Sequence, residues 1–359
     1  MKTLLKRIQS GLIITVIFLI AGLSFTSCNQ QQKVTDRFDT VKTVNPNASQ
    51  EVKKLMYFLD SISGLYTLSA QHNYMSQFTL DFDSIHTLTG KYPAIWGSDF
   101  GFADSTHDTD NIAYRPDLLK QIEKQYHAGS LITLTYHQAN PVMGEPTSFK
   151  GGVQSDLTDA QWKELITPGT SLYNDWKKQM ELLGGYLKKL QDEHIPILFR
   201  PYHEMNGDWF WWGGRPGDSG YIALYRQLFD LYTNELKLNN LIWVWSTDNP
   251  ILYGFGEYYP GDKYVDIVGC DLYAKGDTTV LYREDIYDMV SELAGDKPIV
   301  VGEQAKLPSP EVLLKQPRWA WFMAWDGLLF SENDITSIRE FYNNPSVLSR
   351  GDLPGWLFK

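Results

Sequence analysis

Cysteine is nearly absent from this 359-residue chain: Cys28 and Cys270 are the two that occur. That excludes a disulfide-stapled scaffold and any cysteine-rich metal cluster. Histidine is scarce as well. The seven include no His-x-x-x-His pair, so nothing in their spacing supports a zinc hydrolase. No Gly-x-Ser-x-Gly elbow is present, which removes the marker of Ser-His-Asp hydrolysis. No Gly-x-Gly-x-x-Gly follows an early strand-like run, which argues against a dinucleotide-binding open sheet. Cations are outnumbered, 32 Lys and Arg to 43 Asp and Glu. A chain so acidic is a poor partner for nucleic acid, whose phosphates need Lys and Arg. No internal repeat is visible.

One long apolar run exists, at the start. Lys2, Lys6 and Arg7 precede Leu12 to Ser24, and Phe25-Thr26-Ser27 leads into Cys28. A basic start, a short apolar stretch and small residues at the cut read as a secretory signal. The run is short for a bilayer span of about 20 residues. The cysteine at the cut makes it resemble a bacterial lipoprotein signal, with residues 1–27 removed and Cys28 lipidated. Cys270 is then left without a disulfide partner. The leader holds three basic residues and no acidic ones, so the charge of −11 becomes −14 without it. Residues 28–46 include Gln30-Gln31-Gln32 and show no apolar period; they read as a tether. Residues 47–359 are expected to form one domain.

Short apolar, β-branched runs recur between amphipathic stretches. They predict strands at Tyr66–Ala70, Ala94–Gly97, Leu131–Tyr136, Pro196–Pro201, Leu241–Trp245, Val265–Cys270, Pro298–Val301 and Trp319–Ala324. None alternates cleanly, as expected of a parallel sheet covered on both faces. Helices are expected at Pro116–His127, Leu172–Asp192, Tyr221–Lys237, Tyr282–Ala294 and Asp334–Tyr342. Eight strands alternating with helices argue for a (β/α)8 barrel.

In that fold, chemistry sits where strands end. Polar and aromatic residues follow every run: Gln71-His72, Ser98-Asp99, His137 and Asn140, His203-Glu204 and Asn206, Ser246, Asp248 and Asn249, Asp271 and Tyr273, Glu303, and Trp325-Asp326. Two carboxyl groups across such a mouth suit glycoside hydrolysis. One protonates the leaving oxygen, and the other attacks the sugar or activates water. Glu204 and Glu303 follow the fourth and seventh runs. Glu204 suits the acid/base role, because His203 and an aromatic loop could exclude water and raise its pKa. A Glu after a strand is also a common helix starter, and Asp99, Asp248 and Asp271 compete from their own strand ends. His203 taken alone reads better as a satisfied core residue. His72, His137 and His203 could be imagined as a metal site, but their spacing gives no support. Trp209, Phe210, Trp211 and Trp212 are consecutive, so they cannot share one face. Aromatics make up 14% of the chain, more than core filling suggests.

The stretch "FRPYHEMNGDWFWWG" resembles the signature of glycoside hydrolase family 26, best known for β-mannanases. "SAQHNY", "LITLTYHQANP", "DLY", "VVGEQA" and "MAWDG" extend the likeness over most of the chain. The resemblance implies a retaining barrel enzyme with no cofactor or metal, Glu204 as acid/base and Glu303 as nucleophile. It further implies sugar contacts from His137, His203, Trp209, Tyr273, Trp325 and, on a weaker alignment, Trp162. Arg200 and Asn206 match positions that hold the carboxylates in place. Gln304-Ala305 stand where the family often has a small residue and Gly. The expected activity is cleavage of β-1,4-mannosidic bonds in mannan, galactomannan or manno-oligosaccharides. Alternatives are a β-1,3-1,4-glucanase or β-1,3-xylanase on the same scaffold, or, in another class, a non-catalytic glycan-binding lipoprotein. A monomer at the outer membrane is expected. "CNQQQKV" lacks the acidic run of surface-exported lipoproteins, which favours the periplasmic side.

Overall fold

The computed structural model describes residues 38–104, 109–274 and 281–359. The leader and Cys28 lie outside the described residues. The chain divides into two units, Met1–Lys42 and Thr43–Lys359, and the second holds the fold.

Eight parallel strands close into a barrel. They are β1 (Thr67–His72), β2 (Ile95–Asp99), β3 (Leu131–Tyr136), β4 (Ile197–Pro201), β5 (Leu241–Asp248), β6 (Ile267–Leu272), β7 (Ile299–Gln304) and β8 (Trp319–Ala324). Neighbours pair in chain order, and β8 returns to β1, with Leu68 opposite Trp321 and Gln71 opposite Ala324. Every residue of all eight strands is buried. That is why none of the runs alternates in sequence. The aromatic content is mostly core after all. Trp96, Trp176, Trp211, Trp212, Trp243, Trp245, Trp319 and Trp321 are fully buried.

All eight expected strands form, but several run further than their apolar stretches. The ladder carries on through Asp99, Asp248, Asp271 and Glu303. These polar side chains belong to the strands themselves, and polarity hides the strand ends from the sequence pattern. The ladder between β6 and β7 skips one residue: Cys270 faces Val301, then Asp271 faces Glu303. Gly302 is the extra residue of a bulge, a device that re-aims the side chain beside it.

Helices cover the barrel. Ser171–Asp192 is capped by Thr170, whose side chain accepts from the Tyr173 N–H, and buries Trp176, Met180, Leu183 and Leu187. Arg115–His127 has Pro116 in its first turn, where a missing N–H costs nothing. The helix expected over Tyr221–Lys237 ends at Asp230 and widens into a π-helical turn over Leu231–Glu235. Glu284–Ala294 and Ile335–Asn343 sit where amphipathicity placed them. Gln50–Ile62 and Leu80–Thr89 were not expected from the sequence. Between β5 and β6 the chain makes only the short turns Pro250–Tyr253 and Gly256–Tyr258.

The folded unit also takes in residues 43–46, read above as tether. The Val44 N–H donates to Asp266 Oδ1 at 2.8 Å, and the Asn45 amide to Leu238 O at 3.2 Å. These hydrogen bonds and the partly buried Val44 fix this segment, and one apolar residue leaves no period to read.

Candidate active site

The strand ends of the barrel surround a cavity of about 860 Å³. Its floor is built at the exits of β4 and β7. After β4 the chain turns sharply, and both Tyr202 and Glu204 take left-handed backbone angles, φ 50° and 54°. Such angles cost non-glycine residues about 1–3 kcal/mol each and persist only where the surroundings enforce them. Here the Glu204 N–H donates to Ser246 O at 3.0 Å. The loop then folds back so that the Trp209 indole N–H donates to Glu204 Oε2 at 2.9 Å. Gly207 makes this possible: a Cβ there would lie 2.1 Å from the Trp209 ring.

Glu303 projects from the bulge of β7. Tyr273 donates its hydroxyl to Glu303 Oε2 at 2.8 Å. Arg200 donates to Glu303 Oε1 and, at 2.8 Å, to Asp271 Oδ2. The Ser246 hydroxyl donates to the other Asp271 oxygen at 2.8 Å. His203 Nε2 lies 3.4 Å from Glu303 Oε1. Gly302 has to be glycine, because a Cβ would stand 2.5 Å from Asp271 Oδ1 and 2.7 Å from Ser246 Oγ.

Glu204, Asp271 and Glu303 each bring one oxygen within 4.8 Å of the others. Three carboxylates this close could draw a cation, but Arg200 already bonds two of them. The groups differ in electrostatics. Burial, then the negative Glu303 and Asp271, pushes Glu204 well above the usual carboxyl range. Burial, then the positive Arg200, holds His203 well below the usual imidazole range. His203 is therefore a neutral ring at neutral pH. Burial, then Glu303, pushes the Tyr273 phenol well up, so it remains a donor. The site thus offers a protonated carboxyl group facing a second one ringed by donors, the arrangement that acid-assisted displacement at a glycosidic carbon needs.

Two histidine–aspartate pairs stand beside this centre. His137 Nδ1 lies 2.8 Å from Asp99 Oδ2. Burial opposes ionisation of Asp99, but His137 and the Thr135 hydroxyl outweigh it and hold the carboxyl below its ordinary range. His72 Nδ1 lies 2.8 Å from Asp326 Oδ1, and the His72 ring stacks flat on Trp325. Phe102 and Phe149, 5.1 Å apart, continue the wall.

Residues 44–352 match the model of glycosyl hydrolase family 26. The chain belongs to that family. The curated "Mannan endo-1,4-beta-mannosidase A and B" of Caldalkalibacillus mannanilyticus is 28% identical over 94% of this chain and 68% of its own length. Two Piromyces mannan endo-1,4-beta-mannosidases follow, and the chain spans 50% and 56% of their lengths. Among solved structures, a family 26 protein from a Muricauda species superposes with a TM-score of 0.81, at 38% identity, over 86% of this chain and 99% of that one.

The family 26 barrel brings most of the expected residues together. Glu204, Glu303, His137, His203, Trp209, Tyr273 and Trp325 all line the cavity, and Arg200 lies beneath Glu303. Two expectations need correction. Trp162 is not a cavity residue. It is buried in the short helix Asp159–Leu165, donates to Ser219 O at 3.0 Å and lies under the Arg215 guanidinium. Asn206 touches neither carboxylate. Its amide donates to Asp248 O at 3.0 Å and Gly254 O at 2.8 Å, and accepts from the Asp248 N–H at 2.8 Å. It ties the loop after β4 to the turn after β5. The run of four aromatics also divides. Trp209 and Phe210 face the cavity. Trp211 and Trp212 pack below, donating to Gln138 O and His203 O at 2.9 and 2.8 Å. Sequence reasoning missed the walls from Tyr74 to Gln77 and from Phe102, Asn111, Phe149 and Gln154. They come from loops with no period, and the sole hint was the excess of aromatics.

Proposed function

We propose that this chain cleaves β-1,4-mannosidic bonds of mannan with retention of configuration. The observation that carries the reading is the approach of the Glu204 and Glu303 oxygens to within 4.8 Å. Retaining enzymes place their carboxyl groups about 5–5.5 Å apart, whereas inverting ones leave about 6.5–9.5 Å for a water. Glu303 attacks the anomeric carbon, and the bond to the leaving oxygen breaks. Glu204 gives that oxygen its proton. Water then loses a proton to Glu204, and its oxygen displaces Glu303, freeing the sugar as the β anomer. Arg200 and Tyr273 each donate to one Glu303 oxygen and so fix its aim. Neutral His203 offers an N–H to the sugar and Glu303 without adding charge. Trp325 and Trp209 offer flat faces to the apolar sides of sugar rings.

The mannan specificity rests on the relatives' activity. Products from mannan, galactomannan, lichenan and mannohexaose test it, and preference for lichenan would transfer the reading to mixed-linkage glucan. Glu303→Ala is expected to abolish cleavage in a folded protein; full activity would sink its assignment as nucleophile. Proton NMR early in the reaction should show β product, and α product would refute retention. The leader reading continues as part of the proposal: a monomer anchored through lipid on Cys28 in the outer membrane, facing the periplasm. Cys28→Ala should move the protein from the membrane to the soluble fraction.

A further inference from the structure

Asn206 is spent on the turn Pro250–Tyr253, although it sits two residues beyond Glu204. Both amide hydrogen bonds of its Nδ2 end on the carbonyls of Asp248 and Gly254, at the two ends of that turn. The Asn249 side chain caps the turn from within, accepting from the Ile251 N–H at 3.1 Å. A four-residue turn in a short crossover is thereby held at fixed distance from the loop that carries Glu204. What the turn presents is Tyr253, 40% exposed, beside Leu252, 42% exposed. The Tyr253 ring meets Trp209 edge to face, with centroids 5.4 Å apart and planes at 76°. Trp209 lines the cavity and Tyr253 does not, so Tyr253 extends the aromatic surface outward from Trp209.

The side of the cleavage point follows from the hydrogen bonds. Arg200, His203 and Tyr273 attend Glu303, under the sugar that is attacked. Trp209 attends Glu204, the group that hands its proton to the departing oxygen. A surface continuing outward from Trp209 therefore lies along the leaving part of the chain. We propose that Tyr253, with Leu252, forms a binding subsite for the second sugar of the leaving group, a neutral pyranose stacked beyond the one that Trp209 contacts. This rests on the acid/base assignment of Glu204 made above. Asn206 is the positioning residue of that subsite: it fixes the turn and touches no substrate.

Two substrates separate the subsite from the chemistry. An oligosaccharide such as mannohexaose places two or more sugars in the leaving group; an aryl manno-oligoside places only the aryl ring there. Tyr253→Ala in the mature chain should lower kcat/KM on mannohexaose about tenfold, the scale of one lost stacking contact. It should leave kcat/KM on the aryl glycoside within about twofold. Tyr253→Phe should restore most of the loss. Asn206→Ala should copy the split in weaker form, with the loss falling on KM. Equal losses on both substrates, or no loss on either, would overturn the subsite. If the wild-type chain cleaves β-glucan oligosaccharides instead of mannan, the mannan reading fails. The same ratio measured on gluco-oligosaccharides and their aryl glycosides then decides the subsite.

Discussion

Trp325 lies flat on His72, with ring centroids 3.7 Å apart and planes 14° from parallel. His72 is itself fixed from the other side, because its Nδ1 sits 2.8 Å from Asp326 Oδ1. Asp326 takes a left-handed backbone angle, φ 45°, one residue after Trp325. The strain, the hydrogen-bonded ring and the stacked indole form one device that sets the tilt of Trp325 over the cavity. His72→Ala removes the underside of the stack. It is expected to lower kcat/KM on mannan about tenfold, on the order of one aromatic contact. The thermal midpoint should fall as well, because Asp326 is left buried without its partner, and steady-state kinetics beside calorimetry would separate the two effects.

The raised pKa of Glu204 has a consequence for stability with a defined sign. In the folded chain Glu204 holds its proton to a higher pH than in the unfolded chain, whose ordinary value is 4.5. Above that pH the folded state binds more protons than the unfolded one, so stability falls as pH rises until Glu204 ionises in the folded protein too. Glu204→Gln keeps the neutral shape and removes the titration. The variant should melt higher than the wild type at pH 7, by on the order of 2 °C or more, with the gap closing towards pH 4. A wild type that melts higher at pH 7 would contradict burial as the dominant cause. The same group sets the alkaline limb of kcat/KM, since the acid role needs the proton. Glu204→Ala should therefore slow polysaccharide by about 10²–10⁴-fold, and an aryl glycoside with a good leaving group far less.

What was legible in the sequence follows from which physics leaves a local trace. Strands buried on both faces leave apolar runs, and all eight were readable. Strand ends were not: Asp99, Asp271 and Glu303 lie within the ladder, and nothing local tells a polar strand residue from a polar loop residue. Glu204 and Glu303 could be paired because the barrel rule puts strand ends on one face. The bulge at Gly302 could not be seen, because it is a register between two distant strands. Trp162 and Asn206 show the limit of carrying roles over by motif. Trp162 is satisfied by Ser219 and Arg215 in its own local fold. Asn206 keeps its place in the motif but turns its amide to a different strand end.

Arg115 and Glu145 tie two cavity loops together. Arg115 is 2% exposed, and its guanidinium bonds both Glu145 oxygens as well as Phe100 O at 2.8 Å and Gly101 O at 3.1 Å. Tyr136 adds its hydroxyl to Glu145 Oε1 at 2.6 Å. Removing one partner strands a buried charge, which costs about 3–5 kcal/mol. Glu145→Ala should lower unfolding free energy by about that amount in urea titration. Because Phe102 and Phe149 ride on the joined loops, KM for long manno-oligosaccharides should rise as well. A variant as stable as the wild type would show that the guanidinium is solvated without its partner.

Gly302 offers the sharpest test of how the backbone serves the chemistry. A methyl group there would stand 2.5 Å from Asp271 Oδ1, 2.7 Å from Ser246 Oγ and 3.4 Å from Arg200 Cδ. All three belong to the brace that fixes Glu303, and none is a floppy surface end that could swing aside. Gly302→Ala should therefore leave the barrel folded but push the Arg200–Asp271 pair away from Glu303. The expected result is a fall in kcat of about a hundredfold, as misplacement of a reacting group by about 1 Å costs. KM should move little, because Trp209, Phe149 and Trp325 are untouched. Far-ultraviolet circular dichroism and kinetics on one preparation check both halves. A variant with wild-type kcat would mean that Arg200 and Asp271 do not set the aim of Glu303.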